Sequence, residues 1–429
     1  MVSMRLLTLG ALALGAGALP ADKRSSTTSK AAELDEVFSS AVREKRVPGI
    51  AALALNRDGT VIYKNAWGTI NIDDPSSAPI TSSTKMEIAS LTKSVVSVAA
   101  LQLVEQGKLS LDDLVEDYLP RWKNATVLEG FTDDGEPITR PPKTKPKILH
   151  LVTHSTGDPY WIINTNINRY YEWATANQVP IDTPFPLAAD PGTGWYYGTS
   201  TDTLGYVIET ISGLRLDEYI EHNIFRPLGI RDSGLITAEM WTHRRHDNGS
   251  ITAVPPTPVD PKTTPPIGGA YLISTVDDYA NYLVTILNWG THPKTGVKLL
   301  KSSTVKKYVF TDLLPLAAAP TSPCKPPPAH PNGEGDIGVW VSNNQTISYS
   351  GEFLPGTPKG WSAAWLINNE AIPGRRRENS GAWAGINNLY YWADVKAGKL
   401  GMVFTNLLPF LDPTVLELYD KLEEFVYSA

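Results

Sequence analysis

A helix that is apolar on almost every side is the feature that most constrains how this 429-residue chain folds. Residues 94–104 read SVVSVAALQLV, and Gly107 follows as the expected C-terminal cap. A helix with this pattern has to be surrounded by other elements, so it predicts a large core with the segment inside it. Lys93 nevertheless stands in the first turn. Burying a lysine is costly unless its amine is neutral or paired, so folding alone gives no reason for Lys93 to be there.

Ser90 stands three residues before Lys93, one helical turn away on the same face. A lysine amine in a poorly solvated site has a lowered pKa and can accept the proton of a serine hydroxyl. The same S-x-x-K pattern also occurs at Ser82/Lys85, Ser303/Lys306 and Ser322/Lys325. Those copies lie in polar or Pro-rich sequence, whereas the Ser90 copy begins the buried helix. We therefore predict that Ser90 is a nucleophile and Lys93 its activator. The alternative is a lysine whose amine reaches past the helix start into solvent.

Composition excludes several other classes of function. The formal net charge of −7 gives no basic surface for nucleic acid. The single cysteine, Cys324, excludes an intramolecular disulfide and a cysteine-rich zinc site. None of the seven histidines occurs in the zinc-binding pattern H-E-x-x-H. His243 and His246 flank two arginines, so we expect them to lie on a solvated face. We expect no metal and no cofactor. The absence of G-x-S-x-G argues against an α/β-hydrolase.

Residues 1–24 predict a signal and processing segment. Residues 6–19 are apolar but shorter than the ~20 residues that a membrane span needs. Small residues at 16–18 suit signal cleavage, and Lys23-Arg24 suits dibasic processing. Glycosylation sequons begin at Asn124, Asn248 and Asn344. We expect a secreted protein without a membrane span, with a cytoplasmic location as the alternative.

The pattern of the remaining chain, residues 25–429, predicts one α+β domain. Its antiparallel sheet is built from both chain ends and flanked by helices, with a mainly helical lobe inserted between them. The sheet lobe covers about 31–88 and 267–429, and the helical lobe about 89–266. Strands are predicted at 337–341, 361–367, 387–393 and 400–405, followed by a helix from Pro413. A cleft between two lobes is a common place for an active site.

Further motifs occur in a fixed order around the Ser90 pattern. They are V-P-G-I at 47–50, G-K-L-S-L-D-D at 107–113, H-S-T-G at 154–157, P-G-T-G-W-Y-Y-G at 191–198, P-L-G-I at 227–230, G-G-A-Y-L-I-S-T at 268–275 and W-A-G at 383–385. From about residue 34 onward this order resembles the serine β-lactamase-like proteins. It is most similar to class C-type esterases and lovastatin-type fungal acyltransferases. The resemblance implies a β-lactamase/transpeptidase-like fold and catalysis through an acylated serine.

The resemblance also implies roles for individual residues. Ser90 would be acylated, Lys93 would assist its deprotonation, and Tyr197 would act as general base and then as acid, with Tyr196 as the competing choice. The backbone N–H groups of Ser90 and Ile386 would form the oxyanion hole. His154 and Asp202 are expected to be structural. The residues expected in the substrate cleft are Trp195, Trp361, Trp383, Ala384 and Gly385, walled by Trp161 and the Pro-rich segment 312–336.

Two departures from the β-lactamase pattern bear on substrate. Thr199 replaces the Asn of Y-x-N, and W-A-G replaces the basic K-T-G that helps to hold the carboxylate of the drug. Both favour a neutral substrate. The leading hypothesis is therefore a serine esterase or transesterase that passes the acyl group of a small-molecule ester or thioester to an alcohol or water. The alternatives are a β-lactamase or D-amino-acid peptidase, and a non-catalytic binding protein on the same fold. The segment 392–413 most resembles the lovastatin-type group, and this resemblance favours acyl transfer, whereas the signal segment favours a secreted hydrolase.

Overall fold

A seven-stranded antiparallel sheet lies at the centre of the computed structural model, which describes residues 21–179, 185–318 and 336–428. Its strands are β1 Gly49–Asn56, β2 Val61–Gly68, β3 Lys359–Trp361, β4 Leu366–Asn368, β5 Ser380–Gly385, β6 Leu389–Asp394 and β7 Lys399–Phe404. They lie in the order β3-β4-β5-β6-β7-β1-β2. The first strand pairs with the last, and Ala51 stands opposite Phe404. The two ends of the chain therefore build one sheet, as predicted.

Six helices of twelve residues or more accompany this sheet in the described chain. They are α1 Ala21–Arg43, α2 Thr92–Glu105, α3 Thr165–Ala176, α4 Ser200–Ser212, α5 Val276–Leu287 and α6 Pro413–Ser428. The helices α1 and α6 pack against each other and against the sheet, and α5 packs against β1, β6 and β7. All of β1 except its last residue is buried. Strand β1 is therefore a continuous apolar run because both of its faces are covered.

Shorter elements complete the described chain. The short helical segments are Ala89–Leu91, Val115–Tyr118, Pro120–Asn124, Ile148–Val152, Trp161–Ile163, Leu216–Ile220, Glu221–Phe225, Arg226–Leu228, Ser302–Thr304, Val305–Val309 and Leu314–Ala317. The small strand pairings are Met86–Glu87 with Ile273–Ser274, Val127–Phe131 with Pro137–Arg140, Thr242–Arg245 with Ile251–Val254 and Leu407–Leu408, and Val339–Trp340 with Gly351–Glu352. Among the described residues, no helix is both long enough and apolar enough to cross a bilayer.

The internal position of α2 is confirmed. Eleven of its residues are buried, Lys93 among them, and it packs against α4 and against the short helix Leu216–Ile220. The region 89–266 that contains it also holds two β-hairpins, at Val127–Arg140 and Thr242–Val254.

The expectation that His243 lies on a solvated face was wrong. His243 is fully buried and bonded to the backbone of Ile72 and Asn406, because the strand that carries it pairs with the C-terminal part of the chain.

A buried ion pair joins α6 to the loop before β5. Nε and Nη2 of Arg376 donate to the Glu423 carboxylate at 2.7 and 2.8 Å, and both side chains are fully buried. Replacing Glu423 by Gln is expected to lower the free energy of unfolding by about 3–5 kcal/mol, because it leaves the guanidinium charge buried without a counter-charge. Urea unfolding curves measure this change. The matched control is Glu424→Gln, which removes only the exposed pair with Lys421 and should shift stability by less than about 1 kcal/mol. Equal effects of the two changes would contradict the prediction.

Candidate active site

The turn that presents Ser90 is held in an unusual backbone conformation. Ser90 lies in the short helix Ala89–Leu91 that leads directly into α2, and Ala89 has a φ of +45°. This left-handed conformation costs roughly 1–2 kcal/mol for a residue with a side chain. Strand β5 packs closely on the turn, since a Cβ on Gly385 would stand 2.6 Å from the carbonyl oxygen of Ile88. The packing of β5 therefore helps to hold Ser90 in place, and its side chain stays half-buried within reach of a ligand.

Lys93 is buried and fully hydrogen-bonded. Its side chain is 2% exposed. Its Nζ lies 3.1 Å from Oγ of Ser90, 3.0 Å from the hydroxyl of Tyr160 and 2.8 Å from the carbonyl oxygen of Gly269. Burial lowers the pKa of Lys93 to about 8, although the charge of Asp202 acts in the opposite direction. The amine is therefore inside the protein beside Ser90, not past the helix start in solvent.

Tyr197 faces the same pair of residues. The indole Nε1 of Trp383 donates a hydrogen bond to the Tyr197 hydroxyl at 2.9 Å, and Nζ of Lys93 lies 4.9 Å from the tyrosine ring centre. Burial raises the pKa of Tyr197 above its ordinary value, while hydrogen bonds with Ser90 and Trp383 act to lower it. The competing choice, Tyr196, is half-buried and does not line the cavity beside Ser90. The structure thus places Tyr197 with Ser90 and Lys93.

A largely apolar cavity of about 170 Å³ opens beside Ser90. Its lining consists of Ala89, Ser90, Tyr160, Ile162, Tyr197, Ala270, Trp340, Trp383, Ala384, Ile386 and Phe410. Both residues predicted for the oxyanion hole, Ser90 and Ile386, are in this lining. The segment that contributes Trp340 is tied to the segment that contributes Ile162, because the backbone N–H of Asn343 donates to the carbonyl of Ile162 at 2.8 Å. A cavity of this character suits a neutral, apolar acyl group.

The residues predicted for the cleft divide into two layers. Trp383 and Ala384 line the cavity, whereas Gly385, Trp195 and Trp361 lie outside its lining. The ring of Trp361 is 4.6 Å from that of Trp383, and the ring of Trp195 is 5.8 Å from that of Tyr197, so both tryptophans support residues of the lining.

Trp161 and the Pro-rich segment 312–336 were predicted to wall the substrate cleft. Trp161 is also outside the cavity lining and stacks on Tyr171 at 5.2 Å. Most of the Pro-rich segment 312–336 lies outside the described residues. At its start, Asp312 accepts a hydrogen bond from the backbone N–H of Trp361.

Three groups next to Lys93 were not assigned to this site from the sequence. The hydroxyl of Tyr160 and the carbonyl of Gly269 bind the amine directly. Asp202, which was expected to be structural, accepts the N–H of Gly269 at 2.5 Å. The only sequence signals were that Gly269 lies in a recognised motif and that Asp202 follows Tyr197 by five residues. His154 is buried 4.7 Å from the Tyr197 ring, and burial holds its pKa well below the ordinary value, so it is neutral.

The sequence of this chain is similar to a known family and to acyltransferases and esterases. A beta-lactamase family model matches residues 34–419. Monacolin J acid methylbutanoyltransferase of Aspergillus terreus is 27% identical over 414 residues, which cover 92% of this chain and 95% of that protein. Lovastatin esterase of Penicillium rubens is 34% identical over 206 residues, which cover 47% of this chain and 52% of the esterase.

Solved structures show the same architecture. A LovD6 mutant of simvastatin synthase from Aspergillus terreus matches with a TM-score of 0.76 at 24% identity, over 96% of this chain and 99% of that chain. EstCE1, described as a hydrolase with promiscuous acyltransferase activity, matches with a TM-score of 0.67 at 19% identity, over 93% of this chain and 100% of that chain. At these identities the likeness concerns the fold, and it confirms the α+β architecture predicted from the sequence.

Proposed function

The chain belongs to the beta-lactamase family, and from that premise we propose that it is a serine acyltransferase or carboxylic-ester hydrolase that works through an acyl-Ser90 intermediate. The relatives named above are acyltransferases and esterases. The observation that carries the proposal is the buried amine of Lys93, hydrogen-bonded to Ser90 at the edge of an apolar cavity. A protein that only binds ligands has no need for such a lysine.

The first half-reaction transfers the acyl group to Ser90. With a pKa of about 8, Lys93 is partly neutral near neutral pH, and its amine takes the Ser90 proton while Oγ attacks the acyl carbonyl carbon. The backbone N–H groups of Ser90 and Ile386 hold the oxyanion. Tyr197 is neutral, because burial raises its pKa. It therefore donates its proton to the alkoxide or thiolate that leaves. These electrostatics favour Lys93 as the first base, where the family resemblance implied Tyr197.

The second half-reaction reverses these proton transfers. An alcohol or water loses its proton to the phenolate of Tyr197, and its oxygen attacks the acyl carbon. The bond from that carbon to Oγ breaks, and Ser90 recovers its proton from Lys93. The indole N–H of Trp383 and the protonated amine of Lys93 stabilise the transient phenolate. Trp383 stands where β-lactamases carry a basic residue, which favours a neutral ester over a β-lactam or a peptide carboxylate.

The proposal is tested by trapping the intermediate and identifying its products. The enzyme is mixed with p-nitrophenyl butyrate, quenched in acid and digested, and we expect the butyryl mass on the peptide that contains Ser90. The reaction is then repeated with increasing butanol. Because water and butanol compete for one intermediate, the ratio of butyl butyrate to butyrate reports transfer against hydrolysis. An active enzyme without an adduct, or with the adduct on another residue, would refute the proposal.

Replacing Tyr197 by Phe tests its role as proton donor. For ethyl butyrate, kcat/KM is expected to fall by about 10²–10³-fold, because an alkoxide needs a proton to leave. For p-nitrophenyl butyrate, kcat/KM should fall much less, since nitrophenolate leaves without a proton. The comparison uses kcat/KM because this constant reports acylation and is not affected by the later role of Tyr197 as base in deacylation. The control is Tyr196→Phe, the neighbouring tyrosine outside the cavity, which should leave both rates within about twofold. Equal losses on the two esters would argue against a proton-donor role.

We further propose that the protein is secreted. The sequence of residues 1–24 and the three sequons support this, and the asparagines of two sequons, Asn124 and Asn248, are exposed. Residues 1–20 of the predicted signal lie outside the described residues. Expression in a fungal host, followed by enzymatic deglycosylation and N-terminal sequencing of the protein from the medium, tests this proposal.

A further inference from the structure

Three polar groups converge on one glycine beside the lysine that binds Ser90. A Cβ atom on Gly269 would lie 2.6 Å from Oδ1 of Asp202, 2.7 Å from the hydroxyl of Tyr160 and 3.1 Å from Nζ of Lys93. The carboxylate of Asp202 and the amine of Lys93 are therefore no more than about 6 Å apart, a short distance for two charges where little water enters. Any side chain at Gly269 would displace at least one of these groups.

Asp202 is also connected to Lys93 through the backbone of Gly269. Its Oδ1 accepts the N–H of Gly269 at 2.5 Å, and the carbonyl oxygen of Gly269 accepts a hydrogen bond from Nζ of Lys93 at 2.8 Å. Asp202 itself is fixed by α4, where it stands in the first turn. The carboxylate thus holds in place the backbone group that directs the lysine amine towards Ser90.

Asp202 differs from the other titratable side chains around Lys93 in its effect on the charge of the amine. The titratable side chains that face the amine are His154, Tyr160, Tyr197 and Asp202. Burial keeps both tyrosines and the histidine neutral, because it raises the tyrosine pKa values and holds the pKa of His154 well below its usual range. Beyond Asp202 lies Asp158, whose pKa burial raises to about 7. Burial also raises the pKa of Asp202, whereas the charge of Lys93 and the N–H of Gly269 act to lower it. Asp202 is the carboxylate whose charge raises the pKa of Lys93.

We propose that Asp202 is a positioning residue for acyl transfer: it holds the Gly269 carbonyl against Lys93 and supplies the charge that balances the buried amine. Lys93 takes up a proton from Ser90 and returns it in every cycle, so both of its protonation states must be accessible. Burial alone disfavours the protonated state, and the carboxylate restores it. This inference rests on the proposed function, because it assumes that Lys93 activates Ser90.

The decisive variant is Asp202→Asn, which keeps the acceptor oxygen and removes the charge. Burst rates with p-nitrophenyl butyrate are measured across the pH range. In the wild type the rate rises with pH as Lys93 loses its proton. In the variant the midpoint of that rise is expected to move down by about one pH unit, because the protonated amine is no longer stabilised. The matched control is Glu209→Gln on the same helix, whose carboxylate accepts the N–H of Leu216. It removes one charge but should not move the midpoint.

An unmoved midpoint in a folded Asp202→Asn protein overturns the inference. If that variant does not fold, as judged by thermal unfolding, Asp202→Glu decides instead. It keeps the charge but displaces the oxygen, so the midpoint should stay near the wild-type value while the burst rate falls about tenfold. A full burst rate in Asp202→Glu would contradict the positioning role. The trapped butyryl adduct separates the two proposals. If the adduct forms on Ser90 but the midpoint does not move, only the role of Asp202 fails.

Discussion

Replacing Ser90 by alanine is expected to abolish the butyryl adduct and to lower kcat/KM by about 10⁴-fold or more, because no other hydroxyl takes over the attack. The reason lies in the geometry of the site. Ser90 and Tyr160 both lie beside the amine of Lys93 and line the cavity, but Ser90 carries the aliphatic hydroxyl, whereas burial keeps the Tyr160 phenol neutral. Intact-mass spectra after acid quenching measure the adduct, and ester hydrolysis measures the rate. An adduct of undiminished yield in Ser90→Ala would remove the basis for the assignment.

The chain supplies its own control for this variant. Ser82 and Lys85 have the same S-x-x-K spacing, but Ser82 donates to Asp277 and Lys85 pairs with Asp232 and Glu239 at a partly exposed position. Ser82→Ala should therefore leave adduct and rate within about twofold of the wild type. The two variants make the same chemical change in the same sequence pattern. A difference in adduct yield or rate between them therefore comes from the surroundings of Ser90 and not from the S-x-x-K pattern itself.

Replacing Lys93 by methionine is expected to lower the burst rate by about 10³-fold, because the proton acceptor of Ser90 is removed. It should also abolish the rise of the rate around pH 8, which comes from the neutral fraction of this amine. The burst with p-nitrophenyl butyrate, followed across pH, measures both effects. A variant that kept the wild-type pH profile would show that another group is the base. Lys85→Met, which changes the lysine of the second motif, is the matched control.

The same substitution has a second expected effect, on stability. Burial lowers the pKa of Lys93 from 10.5 unfolded to about 8 folded, so protonated Lys93 disfavours the folded state. This penalty is full below pH 8 and disappears as pH rises towards the unfolded pKa. The penalty is on the order of 3 kcal/mol. Replacing Lys93 by methionine removes this penalty but also removes the three hydrogen bonds of the amine, so the net gain in stability is smaller.

Relative to the wild type, Lys93→Met should therefore be more stable below pH 8 than it is at pH 10. Urea unfolding at several pH values measures the difference. A stability difference that does not change with pH would contradict the lowered pKa. An inactive variant that gains relative stability at low pH cannot be explained by misfolding.

The helices and strands that were predicted correctly are those that a local sequence pattern indicates. The buried helix α2 and the Ser90–Lys93 pair follow from one continuous segment, and β6, β7 and α6 were predicted to within two residues, since each carries its own apolar pattern. The strand β5 was missed, because SGAWAG is too poor in large β-forming residues to stand out. The predicted strand 361–367 is two strands, β3 and β4, because the hydroxyl of Ser362 accepts backbone N–H groups in a turn between them.

The rest of the site could not be read from local pattern. Tyr160, Asp202 and Gly269 belong to three separate segments, and only tertiary packing brings them to Lys93. The two supporting tryptophans illustrate the same limit. Trp195 lies in a recognised motif and Trp361 was predicted for the substrate cleft, but only the packing of their rings on Tyr197 and Trp383 shows that they stand behind the cavity lining. Burial also sets the protonation of the titratable groups, since it raises the pKa of Tyr197 and lowers the pKa of Lys93 to about 8.

The pairing of the first strand with the last has a consequence for biosynthesis. Strand β1 cannot complete the sheet until β7 has left the ribosome, and β5, which packs on the Ser90 turn, is also made late. Contacts between such distant segments form slowly, because a long loop must close before they are made. Strand β1 and the Ser90 turn therefore stay without these partners while the residues between them are synthesised, a stage at which exposed apolar surface makes chaperones important. A chain that has not yet reached β5 and β7 lacks the packing that holds the Ser90 turn in place.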